Sequence, residues 1–100
     1  MRRDGRVDAN QPEIVSALVD GYFSVAYTTA IGGGFPDLVV GGSMPCPNCS
    51  KKFRQNKLVE VKTLTGTLTK EQQLFHPCWA GQLSIARTID DALKIVGLIK

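Results

Sequence analysis

The stretch Leu58-Val59-Glu60-Val61-Lys62-Thr63 constrains this chain more than any other. Its apolar, β-branched character calls for a strand inside a sheet, and successive side chains of a strand alternate between faces. Leu58, Glu60 and Lys62 therefore share one side, and Val59, Val61 and Thr63 the other. A carboxylate and an amine thus meet at the edge of the core, where an unpaired charge is costly. Two explanations stand open. Glu60 and Lys62 are a salt-bridged pair on an exposed strand face, or Glu60 joins Asp37, which follows Pro36, in holding a divalent cation with Lys62 beside it.

A chain of 100 residues supports one domain, residues 1–100, with a core large enough to fold unaided. Hydrophobic residues make up 43% and charged residues 21%, ordinary globular values that argue against disorder. The net charge of +3 permits a nucleic-acid partner without demanding one. No apolar run approaches the roughly 18 residues of a membrane span. Met1-Arg2-Arg3-Asp4 lacks the apolar stretch of a signal peptide, so a cytoplasmic location is expected. Three cysteines suit a reducing compartment better than a disulfide framework.

Residues 1–9 form a basic arm with Arg2, Arg3 and Arg6. A first helix is expected from Asn10 as cap, with Pro12 in the first turn, Glu13 three past the cap, and Gly21 at the end. Phe23, Val25 and Tyr27 alternate with polar or small residues as a half-buried strand. Gly32-Gly33-Gly34 breaks the pattern; it lacks the following Gly-Lys-Ser/Thr of a phosphate-binding loop and reads as a flexible turn. Leu38-Val39-Val40 is a short second strand, and residues 41–57 read as a long connection with a role of its own. Thr69 and Gln72 make a capping box for a second helix bearing Phe75 and Trp79 on the stripe begun by Leu68. Leu83, Ile85 and Arg87 mark a fourth strand. Thr88 and Asp91 start a last helix whose Ile89, Leu93, Val96 and Leu98 or Ile99 should cover the sheet. The order is αβββαβα, an α/β arrangement without repeats.

Pro36-Asp37 followed by Glu60-Val61-Lys62 has the form P-D…E-x-K on this element order. In that respect the chain resembles the PD-(D/E)xK nuclease superfamily, and more closely its small stand-alone phage-type VRR-NUC domains. The resemblance runs through Gly34-Phe35-Pro36-Asp37-Leu38-Val39-Val40, Leu58-Val59-Glu60-Val61-Lys62, Gly66-x-Leu68-Thr69-x-x-Gln72 and Phe75-His76-x-x-Trp79-x-Gly81-Gln82. It implies a restriction-endonuclease-like αβββαβ core, a mixed central sheet flanked by helices, with a C-terminal helix added. It also implies Mg²⁺- or Mn²⁺-dependent cleavage of DNA, branched DNA such as Holliday junctions included, by a homodimer.

Each role has its own physical argument. Mg²⁺ takes hard oxygen ligands, keeps several waters, and is usually held by one or two carboxylates plus substrate phosphate. Asp37 and Glu60 provide the carboxylates and the Val61 carbonyl a further oxygen, while Lys62 handles a proton or neutralises charge at phosphorus. Glu13 completes a capping box with Asn10; the resemblance also implies an acidic residue of the first helix at the catalytic centre, and both roles remain open. Gln72 is similarly explained by its capping box and, by resemblance, as a glutamine reaching into the site.

Cys46-Pro47-Asn48-Cys49 is half of a zinc knuckle or a plain reduced loop. Tetrahedral Zn²⁺ needs four ligands, with His76, Cys78 or a second Cys46/Cys49 pair from a two-fold-related chain as the remaining candidates. Cys78 beside Trp79 otherwise reads as a buried small apolar residue. Lys51, Lys52, Arg54 and Lys57, together with the arginines of the arm, serve solubility or contact phosphates. One set of carboxylates per chain makes a homodimer the expectation for symmetric cutting of two strands. The competing expectation is a non-catalytic nucleic-acid-binding module stapled by zinc at Cys46 and Cys49.

Overall fold

The computed structural model describes residues 8–100; Arg2, Arg3 and Arg6 of the expected arm lie outside them. The elements run α1 (Gln11–Asp20), β1 (Ser24–Tyr27), a 3-10 turn (Thr29–Ile31), β2 (Leu38–Pro45), β3 (Lys52–Val61), α2 (Lys70–Cys78), β4 (Leu83–Ala86) and α3 (Ile89–Ile95). The four strands form one mixed sheet in the order β1-β2-β3-β4. β1, β2 and β3 are antiparallel neighbours, and β4 joins β3 in parallel after the crossover through α2. This is a small α/β domain with three α-helices among the described residues.

Strand alternation divides the sheet into two unlike faces. Leu38, Val40 and Met44 of β2 and Val59 and Val61 of β3 lie on one, where they pack with Ile14, Val15 and Leu18 of α1 and with Ala92 and Val96 at α3. The register pairs Leu38 with Val59 and Val39 with Leu58. Leu58, Glu60 and Lys62 therefore point to the opposite face, on which α2 lies. Removing the first set from water is the main force assembling the fold.

Residues 41–57 are not a long connection. β2 continues through Pro45 and β3 starts at Lys52, with Gly41 paired to Asn56, Ser43 to Arg54 and Pro45 to Lys52. Gly41-Gly42 and Pro45 look like strand breakers, but the ladder runs through all three. A Cβ on Gly42 would stand 2.4 Å from the Phe23 ring, which lies over that position. Gln55, buried in mid-strand, donates from Nε2 to the Met44 carbonyl (2.9 Å) and accepts from Gln82 Nε2 (3.1 Å).

Other expectations also change. Asn10 precedes α1 in a helical conformation and makes no capping bond. Its Nδ2 donates instead to the Lys62 carbonyl (3.0 Å) and the Arg87 carbonyl (2.9 Å), tying the start of α1 to the ends of β3 and β4. Tyr27 is 67% exposed, because β1 is an edge strand at its end. Arg87 lies beyond β4, and its guanidinium donates to the carbonyls of Thr63 (2.7 Å) and Gly66 (2.6 Å), bracing the loop into α2. Ala92 and Val96 form the buried contact of α3, whereas Leu98 and Ile99 are exposed beyond its end. The caps of the later helices form as expected: Thr69 and Gln72 make both bonds of the box, and Thr88 accepts from the Asp91 amide.

Candidate active site

Asp37 is placed by the turn that precedes β2. The Thr28 amide donates to its carbonyl (2.7 Å), and Thr28 Oγ1 donates to the Pro36 carbonyl (2.8 Å). The Asp37 carboxylate then accepts from the Val61 amide at Oδ2 (2.9 Å) and from Thr29 Oγ1 at Oδ1 (3.4 Å). An amide of β3 thus holds this side chain against the strand that carries Glu60. The two carboxyl groups share one side of the sheet.

Glu60 is 1% exposed, a depth at which a free carboxylate is unstable. Its Oε2 accepts from Gln72 Nε2 (3.0 Å) and lies 3.8 Å from Lys62 Nζ. Its Oε1 is buried without a hydrogen bond, 3.9 Å from His76 Nε2, which is likewise unpartnered. Burial pushes the Glu60 carboxyl up to about 9; the hydrogen bond and negative charge of Asp37 add to the rise, and Lys62 only partly offsets it. Glu60 is therefore protonated near neutral pH when no cation is present. The His76 imidazole is lowered from its ordinary value by burial and by the charge of Lys62, so it is neutral there.

α2 reaches this site without entering the core; none of its residues is buried. It is held by contact between backbones. Gly32, Gly33 and Gly34 all have positive φ, and a Cβ on Gly34 would lie 2.5 Å from the Glu71 carbonyl oxygen and 3.0 Å from Phe75 Cβ. Phe75 meets Phe35 edge-on at 5.6 Å and stacks on Trp79 at 5.6 Å between centroids. The glycine turn is therefore a seat for α2 as well as a rim of the site. Gln72 fills both proposed parts at once: its backbone amide and Oε1 close the capping box, and its Nε2 reaches Glu60.

These residues border an open cleft of ≈ 300 Å³, lined by Asp8, Thr29, Gly32, Gly33, Gly34, Phe35, Asp37, Glu60, Val61, Lys62, Thr69, Glu71 and Gln72. Asp37, Glu60, Val61, Lys62 and Gln72 are brought together. Glu13 is not: it is exposed on α1 and absent from this lining. Asp8 lies there instead, close enough for its charge to help raise Glu60. Sequence reasoning missed Asp8 because it precedes the helix, and missed His76 as a neighbour of Glu60 because a lone histidine on a polar helix carries no signal.

The donor set suits a hard divalent cation. Two carboxyl groups crowded together, one with an orphaned buried oxygen, are relieved by a shared positive charge. Among the described residues no group of three or more His, Cys, Asp or Glu is placed to hold a metal, so further oxygens would come from the Val61 carbonyl, water and substrate. Among the described residues zinc finds no complete set within one chain. His76 lies against Glu60 rather than near Cys46 and Cys49, and Cys78 is exposed rather than buried.

Of the basic residues, Lys51, Lys52 and Arg54 are exposed on the hairpin. Lys57 is committed elsewhere, its Nζ donating to the Ile95 carbonyl (2.8 Å) at the negative end of α3. The chain matches no family model, no curated protein and no solved structure. No helix among the described residues is long and apolar enough to cross a membrane.

Proposed function

We propose that this protein is a metal-dependent endonuclease of the PD-(D/E)xK type, hydrolysing phosphodiester bonds of DNA in the cleft beside Asp37, Glu60 and Lys62. The observation that carries the reading is the meeting of two carboxyl groups on one face, Asp37 from the turn before β2 and Glu60 from β3, with an ammonium group 3.8 Å from Glu60. A structural salt bridge does not account for it, since Lys62 alone leaves Glu60 raised to about 9. Nor does a binding surface for phosphate, which repels carboxylates.

Asp37, Glu60 and the Val61 carbonyl would hold Mg²⁺ or Mn²⁺. Such an ion, when bound, supplies a water of lowered pKa and positive charge for the reacting phosphoryl oxygens. The protein's own residues do the rest. The Val61 amide and Thr29 hydroxyl hold the Asp37 carboxylate in one orientation, and Gln72 fixes Glu60 Oε2. Glu60 would have to release its proton to ligate such an ion, which would link binding to pH. Lys62, 12% exposed in the side chain, would present its ammonium to the negative charge on the reacting phosphoryl oxygens. Lys51, Lys52 and Arg54 extend a positive strip along the hairpin for the flanking backbone.

Branched DNA is the proposed substrate and a homodimer the proposed unit, since one carboxylate set per chain cuts one strand at a time. Purified protein incubated with a four-way junction and with linear duplex, with and without Mg²⁺ or Mn²⁺, tests the reading. Cleavage is expected only with the cation and only with Glu60 and Lys62 intact. Equal cleavage by Glu60→Ala or Lys62→Ala protein removes the mechanism.

A further inference from the structure

The tip of the β2–β3 hairpin is built around a sulfur atom. The Cys46 amide donates to the Lys51 carbonyl (2.9 Å) and the Ser50 amide to the Cys46 carbonyl (2.9 Å), closing the turn. Ser50 takes a left-handed conformation, φ 66°, to complete it. Inside the turn the Asn48 amide donates to Cys46 Sγ at 3.4 Å. The Asn48 and Cys49 amides and the Cys49 thiol together lower the Cys46 thiol from its ordinary value. Backbone donors aimed at the Cys46 sulfur, with a second sulfur three residues on, suit a soft cation. Both cysteines are free, Cys49 is exposed, and the proposed nuclease chemistry makes no use of either.

The geometry points to Cys46 and Cys49 as a two-thiolate half-site for Zn²⁺, completed by the same two residues of a second copy of this chain. Zinc takes four ligands in structural sites, and one chain places no third His, Cys, Asp or Glu near enough among the described residues. A two-fold axis through a tetrahedral ion exchanges its ligands in pairs, so two identical hairpin tips complete the set with no other residue. Charge supports this occupant. Zn²⁺ with four thiolates carries a net −2, and exposed Lys51 and Lys52 follow directly on each tip. Without the ion, those lysines set two like-charged tips against each other.

On binding, each of the four thiols that is not already a thiolate releases one proton, and four Zn–S bonds form without a change of oxidation state. The ion lies roughly 25–30 Å from Glu60, at about 3.3 Å per residue along β3. It is therefore a joint between chains, and the inference does not depend on the proposed nuclease reading.

Full-length protein kept reduced is titrated with Zn²⁺ and with Co²⁺ alone, followed by metal analysis, Co²⁺ absorption and sedimentation. The expected result is one ion per two chains, a Co²⁺ spectrum with thiolate charge-transfer bands of a four-sulfur site, and a doubling of mass reversed by a chelator. Cys46→Ser and Cys49→Ser remove all three signals and Cys78→Ser none. Lys51→Glu with Lys52→Glu weakens the metal-linked association at least several-fold in a chain whose cysteines are intact. One ion per chain, fewer than four sulfurs, failure to bind either metal, or a Cys46–Cys49 disulfide as the only stable product overturns the inference. The wild-type stoichiometry decides the matter even if a variant fails to fold.

Discussion

The two faces of the sheet are built from the same strand and obey opposite rules. Val59 and Val61 of β3 are 1% and 0% exposed on the face covered by α1 and α3. Glu60, between them, is 1% exposed on the face under α2. Equal burial has opposite consequences. The valines stabilise the domain through the area they take from water, whereas Glu60 is held in a place that disfavours its charge. Stability resides on one face and the candidate site on the other, and core packing alone does not account for a carboxyl group at Glu60.

The sharpest way to break that comparison is through activity. Lys62→Ala is expected to lower metal-dependent cleavage of a four-way junction on the order of 10³-fold, or about 4 kcal/mol of barrier, with little change in melting temperature. A loss of folding that tracked the loss of activity would erase the division between faces. Leu18→Ala should do the reverse, lowering stability by about 3 kcal/mol in a urea titration while the folded fraction keeps its cleavage rate. A rate loss beyond the unfolded fraction would count against it.

The pH dependence sharpens the same point. Glu60 is raised from 4.5 to about 9 in the fold, so between those values the folded chain holds a proton that the unfolded chain has lost. Its contribution to stability is therefore full below pH 4.5 and falls as pH rises toward about 9. Glu60→Gln should stabilise the cation-free protein by a margin that grows across this window, on the order of a few kcal/mol near pH 8. Mg²⁺ should raise the melting temperature of the wild type more at pH 8 than at pH 6, and not that of the variant. A pH-independent gain would show that Asp37 and burial do not set the Glu60 proton.

Smaller effects separate residues that look alike in sequence. Lys57→Met should cost about 1 kcal/mol in stability through the lost bond at the end of α3 and leave the salt dependence of DNA binding unaltered. Lys52→Met should do the opposite, reducing that salt slope by about one. Glu13→Ala is expected to change the cleavage rate least, because its side chain is turned away from the cleft.

Much of this was legible in the sequence where one local rule acted alone. Period-two alternation put Glu60 and Lys62 on the face opposite Val59 and Val61, and Thr69–Gln72 and Thr88–Asp91 read directly as caps. What was hidden depended on partners distant along the chain. Gly42 looks like a breaker until the Phe23 ring is seen over it, so the hairpin was read as a loop. Asn10 has the residue type of a cap, but the ends of β3 and β4 offer its amide two carbonyls and a cap offers it none. Asp8 carries no pattern, and Lys57 reads only as one of a basic cluster; the neighbours that give them their places lie more than thirty residues away.

The attachment of α2 has a consequence for how such a protein can change over generations. This helix brings Gln72 and His76 to Glu60, yet contributes no buried side chain and rests on a glycine, a ring cluster and one amide. Substitutions along its outer surface, at Lys70, Gln73 or Leu74, leave the buried core untouched. On the proposed reading, new target preferences are therefore accessible through α2 at little risk to the scaffold, while β3, which serves both sides of the sheet, has little latitude to drift.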